Sequence, residues 1–181
     1  MVLLYGGGHH RTPYTWDKER VSSYIRYVDT DNQSHWLFDS FLFLEIMDTG
    51  TGGANKMFAK GYNLESANQA DWTKLIDYYF QSETGIGALD ASVKETSAIL
   101  GTPRQKRQIV ISIPEPIVYQ HPEQASSSTK YWGKIDNQTL DFSNSADRIK
   151  ACKWYIDQVR AKFNEKNYQH VELAGFYWLR S

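Results

Sequence analysis

The chain has 181 residues, which at about 100–200 residues per domain fits one domain or at most two. Its 20 basic and 21 acidic residues leave a net charge of −1, so long-range attraction to nucleic acid or anionic lipid is not expected. A single cysteine, Cys152, excludes an intramolecular disulfide framework, and no apolar run approaches the roughly 18–20 residues of a membrane span.

In chain order, Val2–Tyr5 is a short apolar run ended by Gly6-Gly7-Gly8, the pattern of a buried parallel strand. It lacks a basic lead and reaches glycine too early for a signal peptide. A helix is expected from about Thr15, with Val21, Tyr24, Ile25 and Val28 on one face. The second strand spans Ser40–Met47, its apolar run interrupted by Glu45. A helix from about Ala70 places Trp72, Leu75, Ile76, Tyr79 and Phe80 on one side. Gly85 and Gly87 break it, and a further helical stretch runs through Leu89, Val93 and Leu100 to Gly101. Gln108–Ile113 is the third strand, stopped by Pro114-Glu115-Pro116. The last helix starts near Ser145 and carries a stripe of Ile149, Cys152, Ile156, Val159 and Phe163, so Cys152 belongs to the core. Val171–Leu179 is the fourth strand.

The resulting order, βαβαβαβ, implies an α/β fold with a parallel sheet, either an open doubly wound sheet or part of a (β/α)8 barrel. The strand-to-helix connections, about 48–69 and 115–143, are far longer than the helix-to-strand links, and loops of that length are usually functional. In both architectures ligands bind at the carboxyl ends of the strands, which is the enlarged end here.

Candidate site residues follow from that placement. Behind the first strand, Gly6-Gly7-Gly8 allows close backbone approach to a ligand. His9, His10 and Arg11 then either contact a polar or acidic substrate group or serve as strand-end caps and a salt bridge. Adjacent histidines point to opposite sides of an extended chain, which disfavours joint metal ligation, and the glycines match no phosphate or dinucleotide fingerprint. No cofactor and no metal is therefore expected. Glu45 and Asp48 stand at the end of the second strand, where a carboxylate must be paired or put to use; a salt bridge and a substrate role are both open. Gly50-Thr51-Gly52-Gly53 lies too far from the next helix for phosphate binding and reads as a rim. Glu115, fixed between two prolines, is the most suggestive carboxylate. Together with Glu45 or Asp48 it would form a pair on neighbouring strands of the kind glycoside hydrolysis requires, or else brace the loops. For stacking on a sugar the candidates are Trp132, in the long third loop, and Tyr177 and Trp178, which alternate to opposite sides of the last strand.

Five stretches, Leu-Leu-Tyr-Gly-Gly-Gly-His-His (3–10), Trp-Leu-Phe-Asp-Ser-Phe-Leu-Phe-Leu-Glu (36–45), Ile-Ser-Ile-Pro-Glu-Pro (111–116), Ala-Cys-Lys-Trp-Tyr-Ile-Asp (151–157) and Gly-Phe-Tyr-Trp (175–178), resemble a bacterial family known as domain of unknown function 4855. The resemblance runs from end to end of the chain. It implies a glycosidase-type (β/α)8 barrel in an exported protein of gut or soil bacteria, with a carbohydrate ligand and members about twice this long. No activity is established for the family. Glycosidase-like barrels commonly carry an acid/base glutamate at the end of the fourth strand. Here that place holds Leu179-Arg180-Ser181, so the acid lies further on or is missing.

Four strands and three crossovers amount to half of a barrel of about 250 residues. The expectation is accordingly a single (β/α) domain over 1–181 that is completed by the remainder of a barrel or by a second copy. The function expected is a glycoside hydrolase, or a non-catalytic carbohydrate-binding protein on the same scaffold.

Overall fold

Runs of branched and aromatic residues at 2–5, 40–44, 107–113 and 171–178 pair side by side in the computed structural model, which describes residues 1–6, 15–49, 54–125 and 127–178. The elements in order are β1 (Val2–Tyr5), α1 (Lys18–Ile25), β2 (Arg26–Val28), β3 (Ser34–Trp36), β4 (Ser40–Leu44), β5 (Met47–Asp48), β6 (Lys56–Met57) and β7 (Glu65–Ser66). Then come α2 (Gln69–Tyr79), α3 (Gly85–Leu100), β8 (Arg107–Ile113), β9 (Lys134–Ile135), β10 (Gln138–Thr139), α4 (Ser145–Lys166) and β11 (Val171–Trp178).

The main sheet has the order β1-β4-β8-β11, every neighbouring pair parallel. This is the α/β architecture that the alternation of elements required. Its register sets two rows on one face, Val2–Phe41–Ile109–Leu173 and Leu4–Phe43–Ile111–Phe176. Leu4, Phe41, Phe43, Ile109 and Ile111 all belong to one core cluster with Val21 and Ile25 of α1, Trp72 and Tyr79 of α2, Leu89 and Val93 of α3, and Tyr155 and Val159 of α4. The helices therefore cover the same face of the sheet. The opposite face carries the row Leu3–Leu42–Val110–Gly175. On it Leu42 and Leu44 are buried outside that cluster, while Leu3 and Tyr177 are exposed.

Four expectations about elements change. The second strand ends at Leu44, and Met47 opens the separate short strand β5. The first helix stops at Ile25, and Val28 lies exposed in the hairpin β2–β3. Asp29 closes that hairpin: its carboxylate accepts the backbone N–H groups of Asp31 and Gln33 and pairs with His35 Nε2 at 2.6 Å, while Asn32 takes a left-handed conformation. Local turn chemistry of this kind overrides a helical spacing. Gly85 and Gly87 do not only separate two helices; they form the first turn of α3, with Gly85 at φ 57°. On α4 the buried residues are Ala151, Cys152, Tyr155 and Val159, whereas Ile149 is exposed, so the buried stripe is rotated from the one the spacing suggested. Cys152 is in the core as expected, and burial pushes its thiol up to about 12.

The long connections are built rather than irregular. The first contains the small sheet β5-β6-β7 and the second the hairpin β9–β10. The second joins α4 through Asp141, whose Oδ1 accepts from Thr129 Oγ1 (2.7 Å), Ser143 Oγ (2.6 Å) and the Ser143 N–H (3.0 Å). These bonds to Ser143 and Thr129 lower the Asp141 carboxyl from 3.8 to about 2. Because the folded value is the depressed one, the stabilisation is present above the unfolded value and fades as pH falls through the folded one. The difference in Tm between the wild type and Asp141→Asn should hold at pH 5 and above and close as pH falls from about 4 to about 2. A difference independent of pH across that window would refute the assignment.

Candidate functional site

The carboxyl ends of β4 and β8 meet over one short strap. The Gly6 N–H donates to Leu44 O at 2.7 Å, extending the β1–β4 ladder by one rung and bringing Gly6 beside the next residue, Glu45. A Cβ at Gly6 would crowd Glu45 Oε2, so a larger residue there requires the carboxylate to shift. Glu45 is 3 % exposed, and its Oε1 accepts the backbone N–H groups of Ile46 (3.0 Å) and Met47 (3.3 Å). Such bonds compensate a charge taken out of water.

From there the chain leads directly to Glu115. Ile46 O accepts from the N–H groups of Phe58 (2.9 Å) and Ala59 (3.2 Å), and Phe58 O accepts from the Glu115 N–H (2.8 Å). The Glu115 carboxylate accepts the Lys60 backbone N–H at 2.8 Å and pairs with Lys60 Nζ at 3.1 Å. The Phe58–Lys60 segment is thus clasped between Ile46 on one side and Glu115 on the other. Glu45 and Glu115 come to one region at the carboxyl ends of adjacent strands. Asp48 follows in β5, opposite Lys56 of β6, where its Oδ2 accepts the Ala54 N–H at 2.8 Å and its Oδ1 is buried without a hydrogen-bond partner among the described residues.

The two long loops are also fastened to each other behind the strap. Lys56 Nζ pairs with Glu65 at 2.6 Å, and Gln120 Nε2 donates to the same carboxylate at 2.9 Å. These two partners hold the Glu65 carboxyl below the usual carboxylate range. Tyr131 donates its hydroxyl to Ile117 O at 2.6 Å, and burial raises that phenol well above its ordinary value.

Of the aromatic candidates, Trp132 requires a correction. It does not stand free in its loop. It is 1 % exposed, with ring centroids 5.2 Å from Trp72, 5.5 Å from Trp154 and 5.6 Å from Phe142, so no face is left for a sugar. The physical reason is that the loop folds back onto α2, the Gln69 N–H donating to Trp132 O at 2.7 Å. Tyr177 and Trp178 are both exposed at the end of β11, on opposite faces. Tyr177 pairs with Ser112 on the face away from the helices, and Trp178 pairs with Ile113 on the helix side. There Trp178 borders an apolar groove of about 280 Å³ with Pro116, Ile149, Cys152 and Ile156. His9, His10, Arg11 and the rim Gly50–Gly53 lie outside the described residues.

Among the described residues no group of three or more His, Cys, Asp or Glu side chains is placed to hold a metal ion. No helix among them is long and apolar enough to cross a membrane. The model of the family described as a domain of unknown function (DUF4855) matches residues 1–181, the whole chain. The chain belongs to the DUF4855 family. No curated protein matches it significantly, and no solved structure does.

In this DUF4855 chain, sequence reasoning missed Lys60 and the Phe58–Lys60 strap, and Gly6, expected to make room for a ligand, makes room for Glu45. Lys60 lies 55 residues before Glu115, and no spacing rule links the two. The only local hint was that three glycines follow the first strand, which leaves open what the first of them faces.

Proposed function

We propose that this chain forms half of a (β/α)8 barrel in an exported carbohydrate-active protein and acts on a glycan at the carboxyl ends of its strands. The observation that carries this reading is the placement of Glu45 and Glu115 at the ends of adjacent parallel strands, joined through Phe58–Lys60. Paired carboxylates from neighbouring strands are what glycosidic bond cleavage uses. In this reading Glu115 and Glu45, with Asp48, are the polar groups at the reaction centre. His9, His10 and Arg11 orient hydroxyl or acidic substituents, and Tyr177 or Trp178 stacks on a sugar ring. The sequential strand order, with helices on one face and Leu3, Leu42 and Val110 on the other, supports the barrel. The remainder of a barrel or a second copy would cover that second face.

The test is a screen of hydrolysis and binding over a glycan panel, using the full-length protein and its Glu115→Gln variant. Removing a charged group from the reaction centre should lower kcat by about 100-fold or more. An active wild type with an equally active Glu115→Gln variant would sink the role of Glu115.

One observation favours a second reading, a non-catalytic carbohydrate-binding protein on the same scaffold. Glu115 is already engaged by Lys60, and Glu45 by two backbone amides, as braces would be. That reading expects saturable glycan binding without turnover, with Glu115→Gln lowering Tm but not affinity.

A further inference from the structure

Trp178 and Ile149 are each more than half exposed, although both border the same groove of about 280 Å³. Large apolar side chains grouped in water in this way mark a surface that takes a ligand. Cys152 and Ile156 continue the lining from Ile149 along α4, at a helical spacing that keeps them on one face. Pro116 also borders the groove, and it is the residue after Glu115, so the groove opens next to the proposed reaction centre.

The charged groups on this groove are all of one sign: Arg148 and Lys153 line it, and no carboxylate does. Arg148 Nη1 donates to Phe142 O and Ser143 O, which fixes the guanidinium, and its other N–H groups have no hydrogen-bond partner among the described residues. Lys153 has no side-chain hydrogen bond or ion pair among them. The carboxylates next along the chain are already engaged. Asp147 accepts the Asp141 N–H, Asp157 pairs with Arg160 at 3.9 Å, and Glu115 pairs with Lys60. Two cations without an anion, set against an apolar wall, suit a ligand that has an apolar face and a negative charge. A pyranose offers such a face, because an indole packs against its C–H groups while its hydroxyls stay in water.

We propose that this groove is a subsite for an acidic sugar, a uronic-acid unit whose ring stacks on Trp178 and whose carboxylate is taken by Arg148 and Lys153. The glycan of the function proposed above is thereby placed in the acidic class. The link to turnover rests on that function; binding in the groove does not, and it is measured without any hydrolysis.

The test is isothermal titration of the full-length protein with trisaccharides of galacturonate, glucuronate, mannuronate and guluronate, each beside its carboxyl-reduced counterpart. At least one uronate should bind about tenfold tighter than its reduced form, the gain from one charge-assisted contact. Lys153→Gln removes an exposed ammonium group and leaves the packing intact, so it should weaken that uronate about tenfold and leave the reduced form unchanged. Trp178→Ala should weaken both forms, since both stack on the indole. The proposal is overturned if no uronate in the panel binds, if the two forms bind alike, or if uronate binding ignores both substitutions. Benzoate binding there more tightly than any uronate would assign the groove to an apolar acid and overturn it as well. So would a concentration-dependent dimer that Ile149→Asp abolishes, which would give the groove to a second copy. Uronate binding with the expected pattern but without hydrolysis leaves the subsite standing and removes the proposed turnover. Glu115-dependent hydrolysis of a neutral glycan alone, with no uronate bound, does the reverse.

Discussion

Trp132→Ala should destabilise the protein by about 3–5 kcal/mol, the range for truncating a large aromatic in a core that cannot collapse around the loss. The ring is 1 % exposed and touches Trp72, Trp154 and Phe142, which come from α2, α4 and the loop before α4. Its removal opens a cavity that three separate segments line. Two of them are rigid helices, so relaxation into the space is limited. The variant keeps the backbone carbonyl of residue 132 that accepts the Gln69 N–H at the start of α2, so the loss is that of the packed indole. Equilibrium unfolding in urea measures the effect. A change below about 1 kcal/mol, combined with weakened glycan binding, would instead restore Trp132 to a stacking role at the surface.

The contrast between Trp132 and Glu115 shows which parts of this molecule are legible from its sequence. The four core strands were, because each is a predominantly apolar run bounded by glycine, proline or a change to polar residues, and the sheet is buried by helices on one side. The enlarged carboxyl ends were also readable, from loop lengths alone. Trp132 was not, since a tryptophan in a long polar loop carries no mark of the helix it folds onto. The partner of Glu115 was hidden for a similar reason. Lys60 reaches it from the other long loop, and it does so through its backbone N–H as well as its ammonium group, the former a contact to which residue identity is blind. The hairpin β2–β3 was missed where a helical spacing ran on through Val28 by coincidence. The signal that decides it, Asp29 with Asn32 and His35 beyond, lies downstream of the helix it ends.

Gly87→Ala sets two effects against each other, and their sizes decide the result. In an ordinary helix interior alanine is favoured over glycine by about 1 kcal/mol, because it loses less backbone freedom on folding. Gly87 sits in the first turn of α3, where the added Cβ would lie 2.4 Å from Gln81 O, 2.5 Å from Ser82 O and 2.9 Å from Ser82 C. All three are backbone atoms of the tight connection from α2, so no side chain can swing aside. Relief requires moving the start of α3 away from that turn, and with it Ile86 and Leu89, both fully buried. Forced shifts of a packed core typically cost about 1–3 kcal/mol and sometimes more. A clash with two carbonyl oxygens at once belongs at the upper end, so the net expected loss is about 2 kcal/mol, read by denaturant unfolding. Gly175→Ala is the control. It lies in β11, and a Cβ there meets nothing within 4 Å, so its stability should change by no more than about 0.5 kcal/mol. Equal effects at the two positions would mean that the α2–α3 turn is not packed against Gly87 as the structure has it.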